Sequence, residues 1–285
     1  MIDSAFLFMA FHRFLNLQNT VSLICQPSYF CKKNGVMIVS SDWFREWFNS
    51  PYYHKLYFER DEKEAEAFIN CLLDYLKPSP NSLMLDVACG RGRHSRMLAA
   101  KGFDVTGFDL SPENIKFAKK IENDHLHFYE HDMRLPFWIN YFDCAFNLFT
   151  SLGYFRTERE NYNAVRTVCQ SLKKEGYFVV DYLNSRCAED NLVHKATKEI
   201  DGVHYYITKW FDETHFYKKI IIEDDQLPEP IEFVEKISKF SMGDFTEMFA
   251  YNGMQLQQVF GDYELSAYDP KKSPRMLMIA KKVHS

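Results

Sequence analysis

The order of elements along the sequence predicts an α/β fold with a mostly parallel sheet and helices on both faces. Short apolar runs alternate with amphipathic helical patterns between residues 83 and 183, and such βαβ order requires parallel strands joined by crossover helices. Apolar residues make up 46% and charged residues 26% of the 285 residues, which is typical of a globular domain and excludes disorder for most of the chain. After residue 203, β-rich runs follow one another, which predicts a small antiparallel insert.

The elements follow in chain order from periodicity and capping signals. Ser41 can cap an aromatic helix that runs through Trp47, and residues 61–76 show the single apolar face of an amphipathic helix. The aromatic segment 52–57 between them has no clear period. Strands of the main sheet are predicted at 83–87, 105–109, 126–129, 142–149 and 177–183, with helices at 93–100, 112–122 and 158–172. The insert comprises a hairpin at 203–223 and a strand at 231–240, and a helix at 241–253 and strands at 255–260 and 275–280 end the chain.

These elements divide the chain into three parts. Residues 37–80 form a helical cap, and residues 81–285 form the α/β domain with the antiparallel insert at about 200–240. Residues 1–36 are expected to lie outside the fold. Their apolar run, 5–11, is followed rather than preceded by basic residues, so a signal peptide fits poorly. Deleting residues 1–36 should therefore leave the melting temperature and ligand binding unchanged.

Charge and cysteine content argue against several classes of partner. The net charge is −5, with 34 basic and 39 acidic residues, so nucleic acid is not an expected partner. The seven cysteines form no CxxC pair and no zinc-like spacing with histidine, which predicts no metal site and fits a reducing, cytoplasmic environment. No apolar run reaches the ~18 residues of a membrane helix, so no membrane partner is expected.

The segment from Leu83 to His94 carries the strongest chemical signal. A buried strand passes Asp86, and Gly90 and Gly92 then precede a helical pattern. Glycines let a ligand approach the backbone without an intervening Cβ atom, and the first N–H groups of the helix point to the same place. A dinucleotide-binding turn would show a similar pattern, so this segment alone leaves a nicotinamide cofactor open.

Acidic residues at three successive strand ends argue against a dinucleotide cofactor. Asp86, Asp109 and Asp132 follow one another at intervals of 23 residues. The carboxyl ends of parallel strands meet at one edge of a sheet, where open α/β folds bind their ligands. Because carboxylates repel a pyrophosphate and attract a cation, the acidic edge favours a nucleoside with a sulfonium group over a dinucleotide.

Four segments resemble the motifs of class I S-adenosylmethionine-dependent methyltransferases. They are Asp86–Gly92, with Ala88 at the position of the first glycine, Gly107–Ser111, His131–Phe137 and Phe142–Phe149. The resemblance covers residues 42–282 approximately. It implies S-adenosylmethionine as the cofactor. It also implies a seven-stranded, mostly parallel, doubly wound sheet whose last helix and two strands form a reversed hairpin.

The resemblance further implies which residues bind the cofactor. Its methionine part would lie against the loop that contains Asp86, Ala88, Cys89, Gly90 and Gly92. Asp109 would hold the ribose hydroxyls with Leu110 against the adenine, and Asp132 and Met133 would bind the adenine edge. Asn147 and Leu148 would lie beneath the sulfonium. From the sequence alone, each aspartate could instead cap a turn.

Candidate acceptor-binding residues lie in segments that flank this edge. They are Tyr52, Tyr53, Thr150, Tyr154 and Tyr182. His54 is a candidate general base because histidine titrates near neutral pH, and Tyr154 is a second candidate catalytic residue, although either could be an ordinary packing residue. Methyl transfer is an in-line displacement, so positioning can supply most of the rate and a base is needed only for a protonated acceptor.

The fourth motif narrows the class of acceptor. Enzymes that methylate base amines of nucleic acids typically carry an Asn/Asp-Pro-Pro-aromatic signature there, whereas this chain reads Asn147-Leu148-Phe149-Thr150. With the acidic net charge, this predicts methyl transfer to a nitrogen or oxygen atom of a small molecule. The alternatives are a tRNA-modifying methyltransferase, a nicotinamide-dependent oxidoreductase and a non-catalytic scaffold. The β insert could act as a lid or form a homodimer interface.

Overall fold

The computed structural model describes residues 32–33, 36–37, 43–57 and 62–284. The chain forms two units, residues 1–38 and residues 39–285. In the first unit, strands β1 (Lys32–Lys33) and β2 (Val36–Met37) pair in antiparallel orientation. The rest of the predicted extension and the expected helix cap Ser41 lie outside the described residues, so the effect of deleting residues 1–36 stays a prediction.

The second unit alternates strands and helices between residues 83 and 183, as predicted. Its strands are β3 (Leu83–Val87), β4 (Asp104–Asp109), β5 (Leu126–Glu130), β6 (Phe142–Asn147), β7 (Leu172–Leu183), β8 (Lys195–Ile200), β9 (Val203–Phe211), β10 (His215–Glu223), β11 (Ile231–Ser238), β12 (Met254–Phe260) and β13 (Arg275–Lys282). Its α-helices are α1 (Trp43–Asn49), α2 (Pro51–Leu56), α3 (Glu62–Leu76), α4 (Arg93–Ala100), α5 (Pro112–Ala118), α6 (Glu158–Ser171), α7 (Ser185–Asp190) and α8 (Met242–Tyr251). Within the described part of the chain, no helix is both long enough and apolar enough to span a bilayer.

Seven strands form the central sheet in the order β12-β13-β7-β6-β3-β4-β5. The strand pairs from β7 to β5 are parallel, because α4, α5 and α6 carry the chain back between successive strands. Strand β13 lies antiparallel between β7 and β12. The predicted seven-stranded, mostly parallel sheet is confirmed, and β12 and β13 form its C-terminal hairpin.

The core lies along the middle strands of this sheet. Leu85 in β3, Phe146 in β6 and Val179 in β7 are 0% exposed. Strands that are covered on both faces read as continuous apolar runs rather than as alternating patterns. This burial explains why the sequence displays these strands clearly.

A separate antiparallel sheet forms the insert, in the order β11-β10-β9-β8. Strands β9, β10 and β11 lie where the hairpin and the third strand were predicted. Strand β8 was not predicted, because its side chains are exposed almost throughout and show no alternation of apolar and polar residues. The insert packs on α1, where the rings of Trp47 and Phe233 lie 4.7 Å apart.

The helical cap contains one helix that the aromatic pattern did not reveal. Helix α2 covers most of the segment 52–57, for which the sequence showed no period. Ser50 caps this helix by accepting a hydrogen bond from the backbone N of Tyr52 at 3.2 Å, and Pro51 occupies its first turn. Ser50 and Pro51 together mark the start of α2.

Strand β6 ends two residues before its predicted end. Phe149 and Thr150 have φ values of +59° and +58°, so the backbone turns out of the sheet there. Asp181 in β7 stabilises the turn, because its Oδ2 accepts a hydrogen bond from Phe149 N at 2.7 Å and its backbone oxygen accepts one from Thr150 N at 3.1 Å. The residues after this turn line a cavity at the edge of the sheet.

Candidate functional site

A cavity of about 800 Å³ lies at the edge of the sheet where β3, β4, β5 and β6 end. Its wall consists mainly of the segments that follow these four strands, the cap helices α1 and α2, and Glu235 of the insert. Open α/β sheets bind ligands at this edge because loops and helix N-termini converge there. The structure therefore brings the four predicted strand-end segments together in one site.

The loop between β3 and α4 has a backbone that favours small residues. Ala88, Gly90 and Gly92 have φ values of +58°, +58° and +81°, which lie in the left-handed region. A Cβ atom on Gly92 would lie 2.5 Å from the ring of Phe128, so this position has no room for a side chain. Cys89 lines the same cavity, and burial holds the pKa of its thiol well above the usual range, as in an inert packing residue.

Asp86 lies buried at the start of this loop, with 2% of its surface exposed. Its Oδ2 accepts a hydrogen bond from Ser95 Oγ at 2.6 Å. Burial raises the pKa of Asp86 to about 7, although the hydrogen bonds from Ser95 and the charge of Arg93 oppose this rise. Because no described residue forms an ion pair with this carboxylate, a cation bound beside Asp86 would lower its pKa.

Asp109 connects the loop after β3 with the loop after β4. Its Oδ2 accepts a hydrogen bond from Gly90 N at 2.9 Å, and its Oδ1 accepts from Ser111 N at 2.8 Å and from Asn114 Nδ2 at 3.3 Å. Burial raises the pKa of Asp109 in spite of these bonds. Leu110 follows it on the cavity wall. The two residues together offer a hydrogen-bond acceptor for hydroxyl groups beside an apolar surface for a ring.

Asp132 and Met133 follow β5 and line the same part of the cavity. Arg134 Nη2 donates to Asp132 Oδ2 at 2.7 Å, and Arg45 of α1 donates to the same oxygen at 3.3 Å. Burial raises the pKa of Asp132, but the hydrogen bonds from Arg134 and the charges of both arginines outweigh it and lower the pKa. The carboxylate thus joins the helical cap to the strand-end loop. We call the wall formed by Asp86, Asp109 and Asp132 the acidic wall.

The cavity wall is aromatic rather than acidic where the cap helices meet the segment after β6. The aromatic residues of this part of the wall are Phe44, Phe48, Tyr53, Tyr57, Tyr154 and Phe155, and we call it the aromatic wall. Thr150 also lines the cavity. His54 lies beside Tyr53, and its buried Nε2 has no hydrogen-bond partner within the described residues. Burial and the charge of Arg91 lower the pKa of His54 to about 4, so its imidazole is neutral at pH 7.

Two predicted acceptor-binding residues lie outside the cavity. Tyr182 is 0% exposed, and its hydroxyl donates to the backbone oxygen of Ser238 at 2.6 Å. It lies in the core because alternate residues of β7 point to opposite faces of the sheet, and its ring packs 5.0 Å from that of Phe245. Tyr52 donates to Asp224 Oδ2 at 3.1 Å, so it connects the cap with the insert instead of lining the site.

Asn147, the last residue of β6, is also absent from the cavity wall. It is 0% exposed, and its Nδ2 donates to the backbone oxygen of Val87 at 3.2 Å. This bond joins the ends of β6 and β3 behind the wall. Its neighbour Leu148 lines the cavity.

Several cavity residues were not singled out from the sequence. Phe44 and Phe48 belong to an aromatic segment that the sequence displays, so their aromatic content was an available signal. Glu235 reaches the cavity only because the insert packs on α1. No local pattern marks such a residue, since it lies more than 170 positions after the helices that it meets.

Comparisons with known proteins agree with this geometry. The methyltransferase-domain family matches residues 84–176, which contain the three aspartates of the acidic wall. YqeM of Bacillus subtilis (strain 168), a protein named as a methyltransferase, is 28% identical over 188 residues, which cover 63% of this chain and 76% of that protein. A dTDP-3-amino-3,4,6-trideoxy-alpha-D-glucopyranose N,N-dimethyltransferase of Streptomyces venezuelae is 33% identical over 101 residues, which cover 35% of this chain and 42% of that protein. The crystal structure of an S-adenosylmethionine-dependent methyltransferase from Clostridium acetobutylicum ATCC 824 has the same fold, with a TM-score of 0.68 and 18% identity over 81% of this chain and 95% of that chain.

The acidic wall fits S-adenosylmethionine on chemical grounds. Asp86 and Asp109 have raised pKa values, and a positively charged ligand would stabilise both carboxylates. Residues 84–176 thus match the methyltransferase-domain family, and the second unit has the fold of a known S-adenosylmethionine-dependent methyltransferase.

Proposed function

We propose that this protein is an S-adenosylmethionine-dependent methyltransferase that acts on a nitrogen or oxygen atom of a small molecule held against the aromatic wall. The observation that carries the proposal is that one cavity contains both the acidic and the aromatic wall, so a cofactor and an acceptor can lie side by side. Its volume of about 800 Å³ is typical of small-molecule sites. The similarity to the Streptomyces venezuelae N,N-dimethyltransferase supports a small nitrogen acceptor.

The proposed reaction is an in-line displacement. When bound, S-adenosylmethionine supplies a methyl group whose carbon bonds to the acceptor's lone pair while the carbon–sulfur bond breaks and its electron pair moves to sulfur. The residues of the chain contribute mainly orientation and the exclusion of water. Asp86 and Asp109 are proposed to hold the cofactor, and Phe48 and Tyr154, whose ring centroids lie 5.4 Å apart, to confine the acceptor.

His54 is the proposed acceptor of the proton that leaves the attacking nitrogen or oxygen. Its side chain lines the cavity, and its imidazole is neutral at pH 7. With a pKa of about 4, it holds the proton only briefly before passing it to water. His54→Gln should therefore lower kcat while leaving the affinity for S-adenosylhomocysteine unchanged. His127→Gln, at an exposed position of β5, is the matched control and should change neither quantity.

The proposed function is tested by offering the protein different acceptors. The full chain is incubated with S-adenosylmethionine and either a panel of small amines and alcohols or unmodified tRNA, and the products are examined by mass spectrometry. We expect small molecules that gain one methyl group, together with formation of S-adenosylhomocysteine. Methylation of tRNA without methylation of any small molecule would contradict the proposal and favour the tRNA-modifying alternative.

A further inference from the structure

Glu235 is the one described residue of the insert that lines the cavity. It lies in β11 and is 8% exposed. A carboxylate that is nine-tenths buried loses most of its hydration, which costs several kcal/mol unless the protein or a ligand replaces the lost hydrogen bonds. The partners of each oxygen therefore indicate whether the group serves only the fold.

One oxygen of Glu235 is fully engaged by the protein. Its Oε1 accepts hydrogen bonds from Trp47 Nε1 at 2.7 Å and from the Tyr57 hydroxyl at 3.1 Å. Lys218 Nζ lies 3.6 Å from the same oxygen and donates to the Tyr57 hydroxyl. Burial and the charge of Glu235 hold the pKa of Tyr57 well above its usual range, so its hydroxyl keeps its proton. The carboxylate is thus fixed in one orientation by α1, α2 and β10.

The other oxygen, Oε2, accepts no hydrogen bond from any residue that the structure describes. The fully buried polar atoms without a hydrogen-bond partner in the described residues do not include Oε2. Oε2 therefore keeps some exposed surface. Lys218 does not line the cavity, whereas Glu235 does. The charge that faces a ligand on this side is therefore the carboxylate.

Four rings of the aromatic wall form a series in which each ring contacts the next. The ring centroids of Tyr57 and Tyr53 lie 4.9 Å apart, those of Tyr53 and Phe48 lie 5.0 Å apart, and those of Phe48 and Tyr154 lie 5.4 Å apart. All four residues line the cavity. Ring faces attract ammonium groups and N–H donors, and they give a transferred methyl group an apolar surface.

We propose that Glu235 Oε2 and the ring series Tyr57–Tyr53–Phe48–Tyr154 form a subsite for an amino group of the acceptor. The inference rests on the proposed function and narrows its acceptor from nitrogen or oxygen to an amine. A neutral amine can donate one N–H to Oε2 and keep its lone pair for the attack on the methyl carbon. An acidic acceptor would be repelled by the carboxylate. An alcohol would lack the positive charge by which a protonated amine, before it loses its proton, is attracted to the carboxylate and to the rings.

The test compares amine and alcohol probes of equal shape. Saturation-transfer NMR titrations measure the Kd of cyclohexylamine and cyclohexanol, and of 2-phenylethylamine and 2-phenylethanol, with S-adenosylhomocysteine bound to the full chain. Each amine should bind at least about tenfold more tightly than its alcohol, the effect of one hydrogen bond to a charged group. Glu235→Gln should remove most of this preference while the Kd of S-adenosylhomocysteine stays the same. Glu232→Gln is the matched control, because Glu232 lies on the same strand, pairs with Lys219 at 2.6 Å and does not line the cavity.

Equal binding of amines and alcohols to the wild-type protein would overturn the proposal, as would an amine preference that survives Glu235→Gln. If Glu235→Gln does not fold, Phe48→Leu provides the second test, because it removes one ring and leaves the carboxylate cluster in place. The amine preference should then fall, and an unchanged preference would contradict the subsite. Failure of the wild-type protein to bind S-adenosylhomocysteine would instead refute the proposed function. Titration of the same probes into the ligand-free protein would then decide the subsite.

Discussion

Replacing Asp86 with asparagine tests the electrostatic character of the acidic wall. Asp86 is 2% exposed and has Ser95 Oγ as its hydrogen-bond donor at 2.6 Å. Asp86→Asn removes the charge, keeps the volume and retains an oxygen that can accept from Ser95. The change therefore isolates the cost of a buried carboxylate in the ligand-free protein.

The expected effect depends on pH in a defined direction. Burial moves the pKa of Asp86 from 3.8 in its ordinary state to about 7 in the folded protein. Because the folded state holds its proton more tightly than the unfolded state, the stability contribution of Asp86 falls as pH rises from about 4 to about 7 and then stays constant. At 1.36 kcal/mol per pKa unit, the cost reaches about 4 kcal/mol above pH 7. The asparagine amide carries its own burial cost, but that cost does not change with pH.

Urea unfolding of wild type and Asp86→Asn near pH 5 and near pH 8 measures this difference. The free energy of unfolding of Asp86→Asn, minus that of wild type, should be about 3 kcal/mol larger near pH 8 than near pH 5, so the variant gains stability relative to wild type as pH rises. Asp74→Asn, at an exposed position of α3, serves as the control and should show no such difference. A relative free energy of unfolding that is equal at the two pH values would refute the assigned cost of the buried carboxylate.

Other variants test the loop, the core and the acceptor side. Gly92→Ala should lower the melting temperature more than Gly90→Ala. The new Cβ atom at residue 92 would lie 2.5 Å from the ring of Phe128, whereas a Cβ atom at residue 90 would meet no atom within 4 Å. Equal melting temperatures of the two variants would contradict the close approach. Tyr182→Phe should cost about 1–3 kcal/mol in urea unfolding, since a buried carbonyl loses its donor, and no loss of stability would argue against the buried hydrogen bond. Tyr154→Ala should slow turnover without weakening the binding of S-adenosylhomocysteine; a parallel loss of both would place Tyr154 in the core.

The parallel part of the sheet could be predicted because its signals are local. Strand β3 is a buried apolar run that coincides with its predicted range, and the glycines that follow it need left-handed backbone. The Ser111–Pro112 pair marked the start of α5. The same kind of signal was present at Ser50–Pro51, and α2 could have been recognised from it.

Elements that depend on tertiary contacts left no such signal. Strand β8 has exposed side chains, and its pairing with β9 is what defines it. An amphipathic pattern appears only where one face of a strand is buried. The fourth strand of the insert therefore could not be found from periodicity.

The site residues also divide into those with a local sequence signal and those that depend on tertiary contacts. The three aspartates of the acidic wall follow directly from their positions at strand ends, and all three line the cavity. At the end of β7 the sequence favoured Tyr182, but its neighbour Asp181 faces the turn after β6 and Tyr182 faces the core. A shift of one residue along a strand reverses the face, and the buried face of a strand that is apolar on both sides cannot be assigned from sequence. Glu235 was missed because only the packing of the insert on α1 brings it to the cavity.

The most direct test of the account is whether Asp109 belongs to the binding site for the cofactor. Isothermal titration of S-adenosylhomocysteine into wild type, Asp109→Ala and Asp104→Ala compares the two ends of β4, because Asp104 starts the strand and does not line the cavity. We expect Asp109→Ala to weaken binding by about 1–3 kcal/mol, or about 5- to 150-fold, through the loss of hydrogen bonds to a charged group. Asp104→Ala should bind like wild type. Equal affinities for all three proteins would contradict the placement of the cofactor at the acidic wall.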